Sequence, residues 1–168
     1  MKKGEKHGEH GMGIEKLKTD YAKLQKKHKL PSFEELNQDF NIEKIAETET
    51  EFLLREVRKF MGDRLANYMR FVENLLNPAN APMFIFSFVK ALGTEDRKAL
   101  SEIYKGLMKL ELKFIQVDLE SNDEKEAEFV RDSYHFWQKI KKDTSKILKK
   151  INDRWDEKPE PNNKGYFG

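Results

Sequence analysis

The stretch that decides the fold is SNDEKEAEFVRDSYHFWQKIKKDTSKILKKINDRW, residues 121–155. Its apolar side chains return every three or four residues, which is the spacing of one face of an α-helix. They are Phe129, Val130, Phe136, Trp137, Ile140, Ile147, Leu148, Ile151 and Trp155. Ser121 followed by Glu124 matches the capping box that starts many helices. The stretch therefore predicts one long amphipathic helix over residues 122–155.

The same spacing upstream predicts five further helices, and Pro, Gly and Asn residues separate them. Their expected ranges are 14–29, 33–39, 43–76, 81–92 and 95–120. Gly62 falls inside the third range and costs ~1 kcal/mol relative to alanine, so we expect a bend at most. Phe84, Phe86 and Phe88 alternate like a strand, but a lone strand would have no pairing partner, and a helix is preferred.

These helices predict an all-α fold, an elongated helical bundle. The bundle contains three long amphipathic helices, and the last two are antiparallel because their connection is short. A short apolar helix and a separate N-terminal helix complete it. The predicted domains are a disordered leader (1–13), a basic amphipathic helix (14–30), the helical bundle (31–156) and a disordered tail (157–168). The N-terminal helix either docks on the bundle through its apolar face or folds only when a partner arrives.

Ten residues are expected to form the centre of the core. They are Phe52, Phe60, Leu65, Phe84, Phe88, Leu107, Phe114, Phe136, Trp137 and Ile147. Charged residues make up 37% of the chain and hydrophobic residues 38%, a balance that suits long helices with much surface. Twelve Phe, five Tyr and two Trp argue against wholesale disorder.

Several classes of protein are disfavoured by what the sequence lacks. It contains no cysteine, which excludes disulfides and thiolate chemistry. The longest apolar-rich run, residues 81–89, is far shorter than the ~20 residues that cross a bilayer, and the basic start has no apolar stretch behind it. We therefore expect a cytoplasmic protein with no membrane partner.

No enzyme motif is recognisable, so we expect no enzymatic activity, no catalytic residues and no cofactor. His7 and His10 could hold a metal weakly, although a solvated polar leader is the simpler interpretation. No metal site is predicted, and whether these two histidines bind a metal stays open.

The apolar run at 83–89 supports the leading functional hypothesis. A helix that is apolar on all sides must be covered on all sides. It is either a core plug between the long helices or a partner interface through Met83, Phe84, Phe86 and Phe88. With no catalytic motif, the favoured function is a non-enzymatic interaction module, acting as an adaptor, regulator or assembly subunit and expected to self-associate.

A basic helix face supports the alternative function. Residues 1–30 and 137–155 each carry a net charge of +5, whereas the middle of the chain is acidic. The candidate phosphate-binding residues lie opposite the apolar side of the last helix, with Arg154 at its flank. They are Lys139, Lys142, Lys146, Lys149, Lys150 and Arg154. This face is a solvated surface, a partner of the acidic middle, or a sequence-tolerant binding site for RNA or DNA backbone, for example on a ribonucleoprotein.

Overall fold

A computed structural model describes residue 11 and residues 13–157 as an assembly of helices. The α-helices are α1 (Ile14–His28), α2 (Phe33–Phe40), α3 (Leu53–Leu76), α4 (Met83–Val89), α5 (Thr94–Leu119) and α6 (Asp123–Asp156). Two 3₁₀ turns, Ile42–Glu47 and Pro78–Asn80, connect them, and no strand occurs in the described ranges. The predicted all-α fold is confirmed. The predicted leader and tail lie outside the described residues, apart from Gly11, Gly13 and Glu157.

Helices α3, α5 and α6 form the centre of the molecule. α5 runs antiparallel to α3, because Arg58 on α3 reaches Asp118 near the end of α5. α6 is joined to α5 by a three-residue turn and folds back along it. Arg58 of α3 contacts Glu126 of α6, and further along both helices Tyr68 stacks on Trp137 with ring centroids 4.7 Å apart, so α3 and α6 run in the same direction.

Each of the three long helices presents a seam whose members are spaced alternately by three and four residues. This is the spacing that brings side chains of neighbouring helices together in bundles. The buried seam of α6 consists of Glu126, Val130, Ser133, Trp137, Ile140, Thr144, Ile147 and Ile151. That of α3 includes Leu54, Arg58, Met61, Leu65, Val72 and Leu75. Both seams contain a charged residue near their N-terminal end.

The prediction of one continuous helix over 43–76 is wrong. The chain forms a 3₁₀ turn at Ile42–Glu47, and α3 begins only at Leu53. Between them the hydroxyl of Thr48 donates to the carbonyl of Ile45 at 3.0 Å, and Thr50 Oγ1 accepts from the Phe52 N–H at 3.0 Å. Such local bonds compete with helical hydrogen bonding.

Two predicted helix starts also differ from the structure. α6 is capped by Asn122, whose side chain accepts from the Lys125 N–H at 3.0 Å, and Ser121 lies outside the helix. α4 covers only Met83–Val89, because the chain before it forms the 3₁₀ turn. By contrast, the Ser32–Glu35 capping box is present, with both reciprocal hydrogen bonds.

The N-terminal elements cover the α3–α6 side of the bundle. α1 is docked through Leu17 and Tyr21, which are fully buried, whereas Ile14 remains exposed. The Tyr21 hydroxyl donates to the Pro31 carbonyl at 2.7 Å and holds α1 against the turn that follows it. On α2, Phe40 packs against Trp137 with ring centroids 6.1 Å apart.

The predicted core is correct in part. Leu65, Leu107, Trp137 and Ile147 are buried. Four aromatic residues are half-buried: Phe60, Phe88, Phe114 and Phe136. Two burial predictions are wrong, because Phe52 precedes the first turn of α3 and Phe84 faces outward from α4; they are 60% and 51% exposed.

Gly62 is explained by the close approach of an aromatic ring. A Cβ atom added to Gly62 would lie 2.3 Å from the nearest ring atom of Phe114 on α5. Gly106 on α5 has the same relation to Phe136 of α6, at 2.2 Å. In both the α3–α5 and the α5–α6 contact, a glycine without a side chain therefore lets a phenylalanine ring lie directly on the backbone of the neighbouring helix.

We expect Gly62→Ala to lower the free energy of unfolding, although alanine favours helix by ~1 kcal/mol. The added methyl group must displace the Phe114 ring, and such overpacking costs ~1–3 kcal/mol. Urea unfolding of the wild type and the variant measures the difference.

The matched control makes the same substitution in a Phe114→Leu background. There the ring is absent, so Gly62→Ala should be neutral or stabilising. A stabilising Gly62→Ala in the wild-type background would contradict the explanation.

Candidate functional site

The apolar end surface is formed by α4 and the C-terminal part of α6. It consists of Met83, Phe84, Phe86, Phe88, Leu148 and Trp155. Ile85 anchors α4 and is only 3% exposed, whereas Met83 is 87%, Phe84 51% and Phe86 44% exposed. Three of the four predicted interface residues thus lie at the surface, and Phe88 is half-buried.

Aromatic contacts make this surface continuous. The Phe88 ring contacts both Phe84 and Trp155, with centroid separations of 5.5 and 5.6 Å. Between α3, α4 and α6 lies a shallow groove of about 490 Å³, almost wholly apolar. Its lining residues are Phe71, Phe88, Leu148, Ile151, Asn152 and Trp155. The short helix is therefore held through one face, and within residues 13–157 three of its six apolar side chains, Met83, Phe84 and Phe86, remain exposed.

The basic face of α6 is only partly engaged within the chain. Lys150 donates to both carboxylate oxygens of Asp96 at 2.8 Å, and this bond, with the Gly93 N–H, holds the pKa of the Asp96 carboxyl below its ordinary value. Lys146 lies 3.7 Å from Asp143. In residues 13–157 four of the predicted phosphate ligands form no ion pair: Lys139, Lys142, Lys149 and Arg154.

The basic α1 is not adjacent to this face. Its C-terminal end meets the start of α6, where Lys27 lies 3.5 Å from Asp123 and His28 lies 3.5 Å from Glu124. The basic face begins more than a dozen residues further along the same helix. The two basic segments therefore do not combine into one surface, and any phosphate contact at 139–154 depends on α6 itself.

Sequence reasoning missed the most deeply buried charges of the described chain. Arg58 is 0% and Glu126 2% exposed, and Arg58 Nε lies 2.5 Å from Glu126 Oε2. Those two atoms are in ion-pair contact but are not aligned for a hydrogen bond. The guanidinium also donates to Asp118 Oδ1 at 2.7 Å and lies over the Phe114 ring at 4.3 Å. One arginine thus joins α3, α5 and α6.

Two further groups surround the Glu126 carboxylate. Ser121 Oγ donates to Oε1 at 2.8 Å, and Arg55 Nη2 donates to the same hydroxyl at 2.9 Å. Arg55 Nε is 3.7 Å from Oε1. Glu126 also borders a cleft of about 440 Å³ between α1, the 50–55 segment and the α5–α6 turn. The carboxylate is compensated by two guanidinium groups, an arrangement that suits a structural ion pair.

A signal for this pair exists in the sequence. Arg58 lies at the spacing of Leu54 and Met61, and Glu126 precedes Val130 by four residues in the α6 seam. The spacing of apolar residues alone does not identify these two charged residues as part of the buried seams. Two opposite charges at seam positions of different helices are the pattern that would have revealed the contact.

Comparison with known proteins gives no family for this chain. No family model matches it, and neither the curated proteins nor the solved structures provide a significant match. Among the described residues, no helix is long and apolar enough to cross a membrane, and no group of three or more candidate ligands is placed to hold a metal ion. His7 and His10 lie outside the described residues.

Removing Glu126 should be far more costly than removing the whole ion pair. Glu126→Ala removes the buried partner of Arg58 and leaves it only the bond to the exposed Asp118, so the expected loss in the free energy of unfolding is about 3 kcal/mol. Replacing both residues, as Arg58→Met with Glu126→Leu, should be much less destabilising, because no buried charge is left uncompensated.

Urea unfolding compares these variants with Glu124→Ala, a matched change at an exposed position of the same helix. That control should leave the free energy of unfolding close to the wild-type value, because exposed ion pairs contribute little to stability. The interpretation fails if Glu126→Ala is as mild as the control.

Proposed function

We propose that this protein is a non-enzymatic helical interaction module, an adaptor, regulator or assembly subunit, which self-associates through the apolar end surface. The observation that carries this proposal is the exposure of Met83, Phe84 and Phe86 on a helix that contacts its own chain along one edge. Methionine and aromatic side chains are enriched in the buried centres of protein interfaces.

The size of the surface supports the proposal. Its exposed side chains sum to roughly 600 Å² of mainly apolar surface, the upper end of what single chains leave uncovered. A stable interface buries ≈ 800 Å² on each partner. Contact between two such surfaces, with the polar residues at their margins, reaches this scale. The adjoining groove gives the partner's aromatic side chains a place to insert.

The buried charges are consistent with a structural rather than a catalytic role. Glu126 is held by Arg58 and by Arg55, and Arg58 also binds Asp118. These contacts occupy the carboxylate oxygens of Glu126 and tie α3, α5 and α6 together. We therefore assign the pair to packing of the helices.

The double variant Phe84→Ser with Phe86→Ser should abolish self-association through the apolar end surface. Both side chains are exposed, so the fold should be retained, and circular dichroism verifies that it is. Size-exclusion chromatography with light scattering over a range of protein concentrations gives the mass. The wild-type mass should rise with concentration, whereas the double variant stays near the monomer mass of 19.9 kDa.

Lys90→Ser is the matched control, since Lys90 is exposed and directly follows α4. It should self-associate like the wild type. Self-association through this surface is ruled out if the wild type remains monomeric at every concentration, or if the double variant associates equally well.

A second candidate function is sequence-tolerant binding to RNA or DNA backbone. The observation that favours it is the set of unpaired cations on α6, with Lys139, Lys142 and Lys149 spread over three turns of one helix. Lysine supplies point charges without the planar group that reads guanine edges, so binding would follow the backbone rather than the sequence.

Filter binding at low salt measures this activity with RNA and DNA. Neutralising about five phosphates should give a log–log salt slope of roughly −4 to −5. The triple variant Lys142→Glu, Lys146→Glu, Lys149→Glu should abolish binding without unfolding the protein, because these positions face away from the α6 seam.

The control carries the same change of charge at exposed lysines elsewhere, Lys44→Glu, Lys98→Glu and Lys109→Glu, and should retain at least part of the binding. If micromolar wild-type protein forms no complex at low salt, or if both triple variants lose binding equally, the α6 face is not a nucleic-acid site.

A further inference from the structure

Helix α5 carries an apolar stripe that the bundle does not use. The stripe consists of Met108, Leu112, Ile115 and Leu119, which are 36, 56, 48 and 81% exposed. Their spacing of four, three and four residues is that of a helix–helix seam. Isolated apolar residues on a surface are ordinary, but four in register along three turns form a continuous face.

The core of the single chain does not require this stripe. α5 already packs against α3 and α6 through a different set of residues: Leu100, Ile103, Leu107, Leu110 and Val117. α1 and α2 cover the α3–α6 side of the bundle, where Tyr134 and Gln138 of α6 bond to α2. Within residues 13–157, the outer face of α5 is therefore the side of the three-helix core that no other helix covers.

Opposite charges border the two sides of the stripe. At 100° per residue, Lys105 and Lys109 fall on one side, and Glu111 and Asp118 fall on the other. Both lysines and Asp118 are exposed, and Glu111 is half-buried. The stripe thus has a basic edge and an acidic edge, as the flanking positions of coiled-coil seams often do.

We propose that the α5 stripe pairs with the same stripe of a second copy, the two α5 helices lying parallel about a two-fold axis along their length. This symmetry turns the basic edge of each copy toward the acidic edge of the other, so that Lys109 faces Glu111 of the second copy. An antiparallel two-fold pairing would instead place acid beside acid and lysine beside lysine, which is unfavourable.

The α5 contact uses a different face from the apolar end surface, so either contact can form without the other. The stripe exposes roughly 450 Å² on each copy, about half of what a stable interface buries. Such a seam by itself gives a weak and rapidly exchanging pair. The experiment must therefore trap the pair, and the absence of cysteine makes any introduced thiol unique in the chain.

Met108→Cys and Leu119→Cys place single thiols at the two ends of the stripe. A disulfide requires Cβ atoms within ~3.5–4.5 Å, so only residues facing one another across the seam are trapped. In the parallel pair each variant cross-links to itself under mild oxidation, and a non-reducing gel shows the dimer. In an antiparallel pair a dimer forms only when the two variants are mixed.

Lys98→Cys, exposed on the same helix but off the stripe, measures random collision. The expected result is a dimer yield at least several-fold above this control for both seam variants. The Phe84→Ser, Phe86→Ser background should give the same yield, because the end surface is not involved. No self-cross-linking above the control, or dimers only in the mixed sample, would overturn the proposal.

A charge exchange tests the orientation without relying on the thiol geometry. Adding Lys109→Glu to Leu119→Cys makes that edge less basic and should lower the cross-linking rate severalfold at low salt. Mixing it with a Leu119→Cys copy carrying Glu111→Lys should restore the rate, because each altered residue then faces an opposite charge. A rate that does not respond to either change contradicts the parallel arrangement.

Discussion

The contact between Arg58 and Glu126 is the constraint on which the three-helix packing depends. Each residue occupies a seam position, where burial of an isolated charge costs several kcal/mol. Their separation of 2.5 Å compensates both charges, and the bond from Arg58 to Asp118 brings α5 into the same contact. A shift of one heptad between α3 and α6 would place Leu65 opposite Glu126, or Ser133 opposite Arg58, and neither charge would keep its partner. The pair therefore penalises misaligned packing far more strongly than the apolar contacts alone.

Much of this architecture follows from the spacing of apolar residues. The helix ranges of α1, α2, α5 and α6 could be predicted to within a residue or two, because their seams are regular and their ends carry capping residues or proline. The 43–76 prediction was wrong because its apolar phase was extended across Thr48–Glu51, where no large apolar residue supports a helix. The burial of Arg58 and Glu126 does not follow from this spacing, because a charged side chain on a helix ordinarily indicates an exposed position.

Which apolar residues stay exposed could not be predicted, and the reason is physical. Periodicity identifies a face that must be covered but does not say whether the cover comes from the same chain. On α5 the seam residue Leu107 and the stripe residue Leu112 have the same side chain, yet one is 2% and the other 56% exposed. On α4 the anchor is Ile85, the one residue of that helix that is fully buried. Such outcomes depend on the tertiary arrangement of α3, α5 and α6.

The two uncovered surfaces have different consequences for assembly because of where they lie. α4 sits where α3 and α6 end and α5 begins, so the apolar end surface is at one end of the bundle, whereas the stripe runs along its side. In a parallel α5 pair both end surfaces would face the same end of the dimer. Their combined apolar area would be roughly 1,200 Å², beyond what soluble single chains leave exposed. The parallel α5 pair would thus bring two apolar end surfaces together as one larger surface. End-to-end contact between two such dimers would cover both of these larger surfaces in a closed assembly.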